Sequence, residues 1–172
     1  MFKKSFNLLV VFLLIFVVCS YGQEGKQVIP LTTKSEEALG YYKKALMAIH
    51  QVYEKDAVEN FKKAIEADPE FVMAMAYYSI LLNNPDNQKM IDRAKKYFDE
   101  VTEGERMFTQ AMEAVIKNDS AKERKILEAL AAKYPDDAQV HLRLVGNYYF
   151  AKEFDKTIEE AKKLLACEQN SY

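Results

Sequence analysis

From residue 35 onward the chain places apolar residues at the period of an α-helix. Tyr42, Ala45, Leu46 and Ile49 follow one another at spacings of three and four, one stripe of a helix. Ser35 stands just before them as an N-cap, with Glu36 and Glu37 where the helix dipole favours negative charge. A second helix is expected from about Glu54, with Ala57, Val58, Phe61, Ala64 and Ile65 on one face. It stops before Pro69, whose ring disfavours helical backbone at Asp68. A third spans about Phe71 to Leu82 and ends in Asn83-Asn84-Pro85. A fourth begins near Asn87 and turns Ile91, Ala94, Phe98 and Val101 inward.

Stronger punctuation marks the second half. Thr102 and Glu105 have the spacing of a capping box, in which each side chain meets the other residue's backbone N–H. They open a fifth helix through Met107, Phe108, Met112 and Val115. Ser120 and Glu123 share that spacing and are expected to open a sixth, with Ile126, Leu127 and Leu130 inward and Tyr134-Pro135 closing it. A seventh, about Asp137 to Phe150, holds Val140, Leu144 and Tyr148; an eighth, after Glu153, holds Phe154, Ile158, Ala161 and Leu165. Eight short helices with short loops predict an all-α domain over residues 35–172, folded as about four antiparallel hairpins.

Before residue 35 the helical pattern is absent. Lys3 and Lys4 precede an apolar run from Phe6 to Val18, interrupted only by Asn7. Ser20 and Gly22 then sit three and one positions before Gln23, so residues 1–22 read as a secretory signal peptide. The run is short for a membrane span, which needs roughly 20 apolar residues. The expected location is therefore periplasmic or secreted. Membrane tethering is the alternative, through a retained signal or a lipid on Cys19, although Val18 stands where lipid-attachment sites usually carry a small residue. Residues 23–34, with Gly25 and Pro30, read as a linker.

Composition supports a helical globule: 49 % hydrophobic and 29 % charged residues, with only five glycines and four prolines in 172. The formal charge is −2 and no basic block lies beyond the N-terminus, so nucleic acid is not an expected partner. If Cys19 leaves with the signal, Cys167 has no thiol to pair with inside the chain. It reads as a half-buried small apolar residue near a helix end, with an intermolecular bridge as the alternative.

Candidate chemistry is sparse. Nucleotide-binding glycine loops, the G-x-S-x-G elbow, H-E-x-x-H and C-x-x-C are all missing from the sequence. His50 closes the first helix, where an imidazole suits the dipole, and His141 reads as a packing residue. The carboxylates interleave with lysines, as in Glu153, Asp155, Lys156, Glu159, Glu160, Lys162 and Lys163, the pattern of solvated helix faces. No catalytic residue, metal site or cofactor is expected, and the chain is not read as an enzyme.

Internal repetition adds to this picture. A tetratricopeptide unit is a helix pair of about 34 residues with a W-x-x-L-G-x-x-Y, A-x-x-x-F and P pattern. Ala57 to Ile65 followed by Asp68-Pro69 matches its second half; Leu144, Gly146-Asn147-Tyr148-Tyr149 and Phe154 to Ile158 match its first helix and turn. Tyr53 and Phe154 read as equivalent positions 101 residues apart, close to three repeats. Of the middle units, Ala94 and Phe98 keep the A-x-x-x-F pair, whereas Glu123 and Leu127 do not.

With SEEALGYYKKAL, VTEGER, PDDAQVH and GNYYF, the chain resembles exported bacterial tetratricopeptide-repeat proteins from about Thr32 to Lys163. The resemblance implies hairpins stacked into a right-handed superhelix, and a protein-binding scaffold holding a peptide or helix in its concave groove. Alignment on Pro69 places Met73, Ala76, Ile80 and Asn83 on the groove side. Family members typically continue through further repeats, and here neither another repeat nor a polar capping helix follows Leu164-Leu165. A truncated member, a dimer or a docking end is expected from that. The competing functional readings are an N-terminal piece of a longer repeat protein with little independent function, and a small-ligand receptor. The seven methionines and the many Phe and Tyr residues are read mainly as core, with an adaptable binding surface as the alternative.

Overall fold

The computed structural model describes residues 26–169, with side chains through residue 167. The signal-peptide reading, its cleavage after Gly22 and the question of Cys19 lie outside the described residues. Within them the chain is all-helical: α1 (Glu36–His50), α2 (Glu54–Ala67), α3 (Val72–Ile80), α4 (Asp86–Lys95), α5 (Glu103–Ile116), α6 (Ser120–Lys133), α7 (Ala138–Phe150) and α8 (Phe154–Gln169). No described helix is long and apolar enough to cross a membrane.

Local chemistry sets most helix boundaries. The Ser35 side chain accepts from the Ala38 N–H and starts α1. Thr102 and Glu105 form the reciprocal capping box at α5. The expected box at Ser120 and Glu123 is absent. Asp119 caps α6 through the Lys122 N–H, Ser120 is already helical, and Glu123 turns inward to partners on α7. The fourth helix is shorter than expected: after Lys95 the backbone tightens into i→i−3 bonds. Arg106 donates to the carbonyls of Phe98 and Val101 at 2.9 and 2.8 Å, meeting oxygens the helix no longer uses.

Three hairpins share one turn. Gln51-Val52-Tyr53, Lys117-Asn118-Asp119 and Ala151-Lys152-Glu153 each place the middle residue at positive φ, between 55° and 62°. The third residue's N–H bonds the carbonyl five positions back in every case, a Schellman closure. Tyr53 therefore corresponds to Glu153, and Phe154 falls one place later than the sequence alignment put it. Asn118 and Lys152 are 34 residues apart. The hairpin of α3 and α4 departs from this turn, with Asn83-Asn84-Pro85 and a cis Asn84–Pro85 bond between its helices.

Helices pair in sequence as α1–α2, α3–α4, α5–α6 and α7–α8, and the hairpins join through α2–α3, α3–α5, α4–α5 and α6–α7. At the centre lies an aromatic cluster. Phe61 stacks on Tyr77 at 5.4 Å, and Tyr42 and Phe108 meet the same ring at 6.0 and 4.9 Å. Around it α3 (VMAMAYYSI) is apolar on every side and correspondingly buried through most of its length.

Residues 26–34 are not a free linker. They lack helix, as expected, but lie as an extended strap across the loops between hairpins. At the fourth hairpin the Gln27 N–H donates to Asp136 and the Ile29 N–H to Asp137, at 2.8 and 3.0 Å. Asp137 also caps α7 with its other oxygen. At the third hairpin Glu105, fully buried, takes the Thr32 N–H and hydroxyl on one oxygen and the Thr102 N–H and hydroxyl on the other, all at 3.0–3.1 Å. Thr33 then donates to Asp68 before α1 begins. Ile29 is buried against Gly104, where a Cβ would meet its methyl and the Tyr134 ring at 2.9 Å.

The last helix also differs from expectation. Phe154, Ile158 and Leu165, read as inward, are 56–57 % exposed. Glu160 and Cys167 face α7 instead. By the shared turn, Ala57 and Phe61 of α2 correspond to Thr157 and Ala161 of α8. The first two are fully buried beneath the next hairpin, while the second two are half-buried, with no further hairpin over them among the described residues.

Candidate binding groove

Where first helices of different hairpins converge, they enclose a cavity of about 590 Å³. One wall is the end of α1, with Ile49 and His50; a second is the end of α3, with Tyr77, Ile80 and Leu81. The third is the face of α7 that carries Gln139, Leu142, Arg143, Gly146 and Phe150. Gln139 ties the walls together. Its Oε1 accepts from the Tyr77 hydroxyl at 3.3 Å, and its Nε2 lies 3.2 Å from the His50 ring. Burial first, then the charges of other acidic and phenolic groups, pushes the Tyr77 hydroxyl well above the ordinary tyrosine range, so it stays a neutral donor.

The floor at the start of α6 is polar. Glu123 accepts from Arg143 at 2.5 Å and from the Asn147 amide at 2.9 Å, and that amide also reaches the Ser120 carbonyl. Asn147 in turn accepts from Arg124 Nε at 2.8 Å, and Arg124 pairs with Glu153 and lies over the Tyr148 ring. The shared turn aligns Glu123 with Ala57. A carboxylate is tolerated at this inter-helix position because two donors from α7 meet it. Among the described residues, Arg143 Nε is the buried side-chain donor without a hydrogen-bond partner.

The four residues placed on the groove by the tetratricopeptide alignment separate. Ile80 lines the cavity. Met73 and Ala76 do not: they are 3 % and 0 % exposed within the core. Asn83 is exposed in the loop beyond α3, away from the cavity wall. An all-apolar helix offers no polar stripe to tell its groove side from its core side, so a sequence alignment alone could not choose. Tyr77, Leu81, Leu142 and Phe150 were the residues sequence reasoning missed. The weak signal for Tyr77, Leu81 and Phe150 is that each lies within one turn of the C-terminal end of a first helix; Leu142, in mid-helix, carries none.

Elsewhere the titratable groups serve packing. His141 is buried, with Nδ1 2.5 Å from Glu160 and Nε2 2.8 Å from the Pro135 carbonyl. Cys167 is buried beside them; burial, and then Asp136 and Asp137, push its thiol up, which leaves little thiolate to react. Among the described residues no group of three or more His, Cys, Asp or Glu side chains is placed to hold a metal ion. No protein-family model and no curated protein matches the chain.

Proposed function

We propose that this chain is an exported helical-repeat scaffold of the tetratricopeptide type, which holds a peptide or helix of another protein in its concave groove. In this reading residues 1–22 direct export and are removed, and the hairpins continue one another as a right-handed superhelix. The proposal rests most on the cavity: apolar walls from Ile49, Ile80, Leu81, Leu142 and Phe150 surround a few fixed polar groups. Such a surface takes an apolar anchor and orients its backbone, as helix-in-groove and peptide recognition require. The recurrence of one turn at a 34-residue spacing supports the repeat assignment. The strap supports the scaffold role, because it ties the loops between hairpins to one another before any partner arrives. No residue is assigned a catalytic role.

The test is affinity capture from the source organism with the wild-type chain and a Leu142→Arg variant. Leu142 is only half-buried, so the variant keeps its fold while a bulky charge fills the groove. A protein retained by the wild type and lost from the variant supports the scaffold. A small-ligand receptor is the second reading, favoured by the orphan Arg143 donor in the cavity wall. Native mass spectrometry that finds a bound small molecule, displaced in Leu142→Arg, would replace the first reading with the second.

A further inference from the structure

The outer face of α8 carries a seam that the groove does not use. Phe154, Ile158, Ala161 and Leu165 follow spacings of four, three and four, the seam of a coiled coil. Three of the four are more than half exposed, and Tyr149, exposed against the Phe154 ring, extends the apolar surface at one end. Beside this seam, on one flank, stand Asp155 and Lys162, both exposed. They are seven residues apart, about 10 Å along the helix, too far to pair with each other. Among the described residues neither forms an ion pair, whereas Lys156, Glu159, Glu160 and Lys163 of the same helix do. On the other flank lie Thr157 and Leu164, both uncharged.

We infer that a second copy of this chain docks on α8, forming a symmetric dimer in which the two α8 helices run antiparallel. A twofold axis perpendicular to both helices brings the same flank of each face to face in reversed order. Asp155 of one copy then meets Lys162 of the other, twice, and Phe154 packs over Leu165. Parallel pairing would bring the charged flank against the uncharged one and leave all four charges unmatched. The charge pattern thus selects both the partner and its direction, and the proposal stands apart from the groove.

Sedimentation equilibrium on the protein purified from expression of the full chain tests this. The wild type is expected to be a dimer and Ile158→Glu a monomer of unchanged helicity, since the side chain replaced is already exposed. Asp155→Lys sets lysine against lysine and should raise the dimer dissociation constant about tenfold. Combining it with Lys162→Asp restores the pairs and should return the constant to near wild type. A wild type that stays monomeric at its highest soluble concentration overturns the proposal, as does a dimer that survives Ile158→Glu. Failure of the double exchange to rescue the single one overturns the antiparallel arrangement.

Discussion

Glu105→Gln asks how firmly the strap binds the hairpins together. The side chain is fully buried, and its two oxygens meet four donors, two from Thr32 on the strap and two from Thr102 at the α5 cap. Glutamine keeps the length but turns one oxygen into an NH₂, which has no lone pair to offer. Whichever way the amide is set, that NH₂ faces the N–H of Thr32 or of Thr102. The threonine hydroxyls can rotate to accept; the backbone N–H cannot. One part-buried N–H thus loses its acceptor, at about 1–3 kcal/mol, and the surviving bonds lose their charge assistance. A total near 3 kcal/mol should lower Tm by about 6–12 °C in a chain of this size. Hydrogen exchange on the same variant separates cap from strap. Faster exchange at Gln27, Ile29 and Thr32 is expected, because these amides are held by carboxylates rather than by a helix. An unchanged Tm refutes the reasoning, and so do strap amides that exchange freely in the wild type.

Other predictions follow from burial and pairing. Tyr148 is buried, and burial and its bond to Glu128 push its hydroxyl up to about 12. An unfolded tyrosine ionises near pH 10, so this stability is complete below about pH 10 and lost as pH rises through about 12. About 2–3 kcal/mol should disappear over that window, and Tyr148→Phe should lose correspondingly less between pH 9 and 12 in urea titrations. His141→Leu leaves Glu160 buried without its ring partner, and Lys163 at 3.0 Å compensates in part, so a loss of about 2–4 kcal/mol is expected by denaturant unfolding. Gly104→Ala drives a methyl into Ile29 and Tyr134 and should cost about 1–3 kcal/mol, with protease cleavage appearing first in residues 26–34.

What the sequence revealed was local. Ser35 and the Thr102–Glu105 box depend on neighbours within one turn, so their roles could be read in order along the chain. Ser120 and Glu123 have the same spacing, but Arg143 and Asn147, some twenty residues on, take Glu123 away and leave the cap to Asp119. The strap was hidden for a similar reason. Its bonds run from backbone N–H groups, which carry no sequence signal, to carboxylates more than seventy residues later. The seam of α8 has the period of a core stripe, and only the packed arrangement of the helices shows that it is exposed. On α3 the apolar period was too complete to separate Met73 and Ala76, which are core, from Ile80, which lines the cavity.

Site-specific photo-cross-linking tests the groove most directly. A photoreactive residue at Leu81, inside the cavity, is compared in the source cells with one at Lys62, exposed on α2. The scaffold reading predicts that Leu81 joins covalently to one protein, that added unlabelled chain competes the adduct away, and that Leu142→Arg abolishes it. Adducts from Lys62 with none from Leu81 would contradict a partner seated in the groove.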